Sequence, residues 1–300
     1  MALWTLLERL VPRATGLATH RRAQLAVQLV LLAALAFALL RLRSAWSDAH
    51  VDVHTLGWKP LVGAVALAAA AVVATAAVWL VILLRLGSRP RLRWVAIVLQ
   101  TELAKYVPGS VWNYAGRAAL TRFEGVGVRI LALSISVELA ATLVAGAVVA
   151  ALIGGWWSFA AAAAAAGIAA AALRFARPRW PRGMRPAIAV RDGSVGHAFV
   201  WILAGLSFWL TAHALFGTPF DEVGHYTGAF AVAALAGMVA FFAPVGLGVR
   251  EAVIVAMLRS RLGTADALVL AAASRGVFTL ADVLTAGGGA IWHRRASGRR

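Results

Sequence analysis

Eight charged side chains stand inside apolar stretches of this chain: Glu102, Lys105, Arg117 and Glu138 in the first half, and Arg250, Glu251, Arg275 and Asp282 in the second. At the centre of a bilayer an Arg, Lys or Asp costs about 2.5–3.5 kcal/mol, so eight isolated charges would cost on the order of 20 kcal/mol. They must face one another or a wet cavity. The bases in such a place can hold an anion by charge-assisted hydrogen bonds, while the acids neutralise them when the site is empty or carry a proton. Glu102 and Lys105 are three residues apart on one helix face, close enough to pair. Arg117 follows the Pro-Gly break in "YVPGSVW", and Arg250 and Glu251 follow a second break in "FFAPVGLGVRE". Ser274 and Arg275 precede Asp282 by about two turns on the same face. Half-helices starting after Gly109 and Gly248 would aim backbone N–H groups at an anion. Tyr106 and Trp112 flank the first break as candidate contacts, though residues of their types are more often interface anchors or core.

The elements that must position these residues are apolar segments at 24–40, 61–84, 94–121, 130–153, 156–173, 197–216, 226–258 and 266–292. A membrane helix needs about 20 such residues. The third and seventh segments contain Pro108 and Pro244, which would each cost a continuous helix a hydrogen bond and clash with its preceding turn. Each therefore reads as two half-helices hinged at Pro108 and Gly109, or at Pro244, Gly246 and Gly248. If both are re-entrant, 20 loop Lys and Arg fall on the cytoplasmic side and 5 outside, against 18 and 7 if the seventh segment crosses. The positive-inside rule favours the first arrangement, with both termini cytoplasmic.

The expected fold is an all-α polytopic membrane protein with about six full spans and two oppositely oriented re-entrant hairpins, related as an inverted repeat. Pro108 and Pro244 are followed at nearly the same offset by the helices "LALSISVELAATLVAG" and "LAAASRGVFTLADVLTAG". Paired broken segments in two halves point to a transporter's binding site. Residues 1–23 form a cytoplasmic or interfacial segment, 24–292 a single transmembrane domain with halves at 24–153 and 154–292, and 293–300 a basic cytoplasmic tail. The run "LAVQLVLLAALAFALL" reads as an uncleaved first span, being long for a secretory signal and lacking a convincing cleavage site.

Composition agrees with this class. Of 300 residues 62% are hydrophobic, with a mean hydropathy of +0.81. The net charge of +17 would suggest nucleic acid on a soluble surface. Here the arginines cluster in short loops, so their partner is the anionic cytoplasmic leaflet. Cysteine is absent, which removes disulfides and thiolate chemistry, and the seven histidines show no ligand spacing. Neither a metal nor a cofactor is expected.

The stretches "LAKYVPGSVWNYAGR" at 103–117, "PVGLGVREA" at 244–252 and "ASRGVFTLAD" at 273–282 resemble the lysylphosphatidylglycerol synthase transmembrane region family, whose members include the membrane half of the multiple peptide resistance factor. With the hydropathy pattern, the resemblance covers roughly residues 24–292. It implies lipid movement between leaflets, and some members are associated with polyprenyl-phosphate-linked glycosylation. The soluble aminoacyl-transfer domain of the fused synthases has no counterpart here, so synthesis of an aminoacyl lipid is not expected. The expectation is thus a flippase-like transporter in the cell inner membrane whose partners are lipids with an anionic headgroup or phosphate. Homo-oligomerisation or a partner from glycan or lipid biosynthesis stays open. A membrane glycosyltransferase, or an accessory subunit of polyprenyl-linked glycan assembly, is the alternative. Its only exterior acids would be Asp48, Asp52, Asp221 and Glu222, which form no motif.

Overall fold

The computed structural model describes residues 56–106, 112–123, 125–153, 167, 186–240 and 246–297. The chain divides into residues 1–49 and 50–300, and all described residues belong to the second unit. Pro108, Gly109, Pro244 and the apolar segments 24–40 and 156–173, Gly167 apart, lie outside them.

All regular structure among the described residues is helical. The α-helices are α1 (Trp58–Arg85), α2 (Trp94–Thr101), α3 (Trp112–Phe123), α4 (Val128–Ile153), α5 (Pro186–Phe216), α6 (Val223–Val239), α7 (Val249–Leu262) and α8 (Thr264–Ser297). Of these, α1, α4, α5 and α8 are long and apolar enough to cross a membrane. Their outer faces carry apolar side chains such as Val148, Val195, Phe199, Val283 and Ile291, each at least half exposed. Contiguous surface of this kind is a liability in water and is satisfied by lipid.

Local chemistry sets several helix ends. Helix α1 stops in a Schellman turn, with Ser88 N–H donating to Leu83 O and Gly87 N–H to Leu84 O, both at 3.0 Å. Gly87 supplies the required left-handed φ of 79°. Helix α5 starts with Pro186, whose missing N–H would be unsatisfied in a first turn anyway. It begins 11 residues before His197, where the apolar segment was expected to start, because "PAIAVRDGSVG" keeps helical backbone although it is less apolar.

The first broken segment also departs from expectation. Its α-helix ends at Thr101, ahead of Pro108, and Glu102–Tyr106 continue as a 3₁₀ turn. With three residues per turn, 3₁₀ geometry sets Lys105 directly beneath Glu102. In the second segment α6 and α7 pack on each other, and Gly246, at φ 64°, lies so close to Gly237 that a Cβ would stand 2.5 Å from the Gly237 Cα. Gly246→Ala combines left-handed strain with a backbone clash and is expected to cost about 2 kcal/mol or more, read as a lower Tm of the purified protein in detergent.

The helix contacts have a two-fold order. Under exchange of α1–α4 with α5–α8, each main contact has a counterpart: α1 on α2 matches α5 on α6, α2 on α8 matches α6 on α4, and α1 on α8 matches α5 on α4. Helix α4 begins at Val128 and α8 at Thr264, the 136-residue offset that also separates Pro108 from Pro244. The short helices α2 and α6 therefore each pack against the long helix that ends the other half, and this interleaving brings the charged residues of both halves together.

Candidate functional site

Arg117 is the centre of the first charge group. Helix α3 places it one turn beyond Asn113 and Tyr114, and it is only 1% exposed. Its Nη1 donates to Glu138 Oε2 on α4 at 2.6 Å, and its Nη2 to Glu102 Oε1 at 3.0 Å. The guanidinium also lies over Trp79, with Cζ 5.0 Å from the ring centroid, and Trp79 is fixed in turn by Nε1 donation to Ser134 Oγ at 3.2 Å. Glu102 continues the chain by accepting from Lys105 Nζ at 3.4 Å. Lys105 then crosses to the other half and bonds Asp282 Oδ1 on α8 at 2.9 Å. Tyr106 donates to the second oxygen of Asp282 at 2.6 Å. The ordered series Glu138, Arg117, Glu102, Lys105, Asp282 has three acids and two bases, one net negative charge.

The second group is complementary. Glu251 pairs with Arg275 and also accepts from the Gly248 N–H at 2.6 Å, capping α7 with its own side chain. One N–H at the start of α7 is therefore already taken by a side chain of its own helix. Arg250 makes no ion pair among the described residues. It lies against the stacked rings of Phe230 and Phe278, with Cζ 4.6 and 5.3 Å from their centroids, and its Nε and Nη2 are buried without a hydrogen-bond acceptor among the described residues. Two bases and one acid leave this group one net positive charge. Sequence reasoning assigned two acids and two bases to each half; the fold reassigns Asp282 to Lys105 and leaves Arg250 over.

A cavity of about 230 Å³ opens between the halves. Glu102, Arg117 and Glu138 form one wall, and His197, Trp201 and Phe230 face it from α5 and α6. Phe230 is shared by the two groups, because its ring lines the cavity and also lies against the Arg250 guanidinium.

The structure thus brings Lys105, Arg117, Glu102, Glu138, Tyr106 and Asp282 into one network, and Arg250, Glu251 and Arg275 into its neighbour. Ser274 takes no part: it is fully buried and its hydroxyl donates to Ala271 O at 2.8 Å, within its own helix. Trp112 is half exposed and is not among the cavity-lining residues. Gly246 and Gly248 have positive φ values, 64° and 86°, which favour glycine. Asn113, Tyr114, Trp79 and His197 were not anticipated. In sequence His197 stands at the edge of the apolar segment 197–216; in an α5 that starts at Pro186 it is an ionisable residue well inside a helix long and apolar enough to cross a membrane, which is the signal that would have found it.

The Lys105–Asp282 bridge is a direct test of the contact between halves. In a double-mutant cycle, Lys105→Met and Asp282→Asn should each lower thermal stability, and the double variant should recover about 1–2 kcal/mol relative to additivity. An additive result would remove the bridge from the folded state.

Compared with known proteins, the chain matches no family model, and no curated protein shows significant similarity to it.

Proposed function

We propose that this protein translocates a lipid bearing a phosphate or other anionic headgroup between the leaflets of a cell membrane, as the resemblance to the lysylphosphatidylglycerol synthase transmembrane region family implies. In this reading the spans number about six, α2–α3 and α6–α7 are re-entrant pairs of opposite orientation, and the halves form an inverted repeat. The two-fold order of contacts and the common 136-residue offset support the repeat.

The observation that carries the functional reading is Arg250, whose Nε and Nη2 are buried without an acceptor and which makes no ion pair among the described residues. Cation–π contacts are worth about 0.5–2 kcal/mol each, comparable to the cost of one charge at membrane depth, so the rings hold the cation without occupying its N–H groups. An anion is the ligand such a group lacks. Lys105 and Arg117 are neutralised by their carboxylates in the empty site, as expected of it, and shape the polar path beside the anion site. Arg275 is likewise paired, and releases Glu251 only if a ligand displaces it.

The test is headgroup accessibility in liposomes containing fluorescent phospholipids or polyprenyl phosphates, with a membrane-impermeant quencher added outside. Protein-dependent bleaching beyond the outer-leaflet fraction, lost in Arg250→Gln, is the expected result. No bleaching for any lipid, together with a new covalent product from a labelled sugar donor, would replace the translocator with glycan assembly.

A further inference from the structure

The two charge groups together hold four acids, Glu102, Glu138, Glu251 and Asp282, and four bases, Lys105, Arg117, Arg250 and Arg275. These charges cancel when no ligand is present. The carboxylate oxygens, however, are not equally satisfied. Glu102 accepts from Arg117 on Oε1 and from Lys105 on Oε2, Asp282 from Lys105 on Oδ1 and from Tyr106 on Oδ2, and Glu251 from Arg275 on Oε1 and from the Gly248 N–H on Oε2. Glu138 accepts from Arg117 on Oε2 alone. Its Oε1 has no donor among the described residues, yet it is not one of the buried atoms sealed from solvent, and Glu138 lines the cavity of about 230 Å³. That volume is far more than one water needs. Among these carboxylates, then, one oxygen is both without a donor and open to a space that holds water.

An oxygen of this kind can take a proton without losing a hydrogen bond, which none of the others can do. The groups that face Glu138 offer no better acceptor. From α3 they are Arg117 and Tyr114, which carry their protons at neutral pH already, and from the 3₁₀ turn Glu102, with both oxygens engaged. From α5 comes His197, whose two ring nitrogens are sealed from solvent. Helices α1 and α6 present Thr75, Phe230, Ala234 and Met238, none of which titrates.

The balance changes when an anion arrives. A monoanionic phosphodiester added to four acids and four bases leaves one negative charge uncompensated at membrane depth, where such a charge is unfavourable. One proton restores neutrality. We infer that Glu138 Oε1 binds this proton, taken from cavity water, so that each lipid anion is carried together with one H⁺. Glu138 then accepts from Arg117 on Oε2 as a neutral acid, and Arg117 keeps the Glu102 carboxylate as its counter-ion. This rests on the anionic-lipid reading above and supplies its ion coupling: the loaded protein is electrically neutral, and a pH gradient drives the lipid.

Proton counting on the full chain in weakly buffered detergent tests the coupling, with dihexanoyl phosphatidylmethanol and dihexanoyl phosphatidylglycerol as probes because a phosphodiester keeps its charge throughout the neutral range. A pH indicator should record about one proton taken up per anion bound, and affinity should rise about tenfold per unit fall in pH while Glu138 of the empty protein is ionised. Glu138→Gln, which still accepts from Arg117 and is neutral at every pH, should bind with no uptake and no pH dependence; Glu102→Gln should keep both. Infrared difference spectra give a second readout. Ligand addition should produce the C=O stretch of a protonated carboxylic acid in the parent and in Glu102→Gln, and not in Glu138→Gln. Saturable binding by the parent without proton uptake would overturn the inference, as would uptake that survives in Glu138→Gln. No saturable binding of either probe would fail at an earlier point, the anionic-lipid reading itself.

Discussion

Replacing Arg117 by methionine should destabilise the folded protein by about 3–5 kcal/mol, enough to abolish recovery of folded material at ordinary temperature. The reason is the pair of carboxylates it leaves behind. Glu102 and Glu138 both face the same guanidinium, 3.0 and 2.6 Å from its two terminal nitrogens, and neither can move to water because Glu138 is 2% exposed and Glu102 8%. Glu102 keeps Lys105, but Glu138 has no other basic partner among the described residues and would be stranded. The prediction therefore includes a rescue: adding Glu138→Gln to Arg117→Met should restore most of the Tm, and adding Glu102→Gln as well should restore little more. If the single variant keeps the parental Tm, Arg117 is not the keystone of this network. Loss of transport in an Arg117 variant is consequently poor evidence of ligand binding unless folding is measured alongside.

Arg250→Gln is the opposite case, and has the largest effect expected on function. No carboxylate among the described residues is stranded when this guanidinium is removed, and a charge that pairs with none of them is taken away, so Tm should be unchanged or higher. Transport should fall steeply. A charge-assisted hydrogen bond to a ligand is worth about 1.5–3 kcal/mol, which corresponds to roughly 10- to 150-fold weaker binding. Such an exchange of stability for activity is common where a site holds an unsatisfied group in readiness for its ligand. Dose-dependent quenching in liposomes and Tm in detergent measure the two sides. A drop in Tm with normal transport would make Arg250 a structural residue, its contacts with Phe230 and Phe278 serving only to pack α6, α7 and α8.

The contrast between two arginines shows what residue type alone leaves open. Both follow a Pro- and Gly-containing break within an apolar segment, and both have acids near them in sequence, so they read alike. Arg250 even has Glu251 as its immediate neighbour. On a helix, adjacent residues point about 100° apart, and Glu251 turns back to cap α7 and meet Arg275. Proximity along the chain thus gave Lys105 one of its partners, Glu102, but not the other, Asp282, which is 177 residues away.

By itself the sequence determined that the protein is helical and has long apolar helices suited to a membrane, because hydrocarbon permits few alternatives and apolar length is a local property. It also determined which residues matter: charges are so costly at membrane depth that the eight exceptions identify themselves. The 3₁₀ turn that aligns Lys105 beneath Glu102 fitted their three-residue spacing, although its early start did not follow from Pro108. Only the tertiary structure decided who pairs with whom. Ion pairing depends on distances between different helices, and the crossing of α2 onto α8 and of α6 onto α4 sets those distances. The same packing left Arg250 without an ion pair among the described residues and set His197 and Asn113 in the lining of a cavity. A cavity is a property of the surfaces that fail to meet, and no local pattern in the chain encodes it.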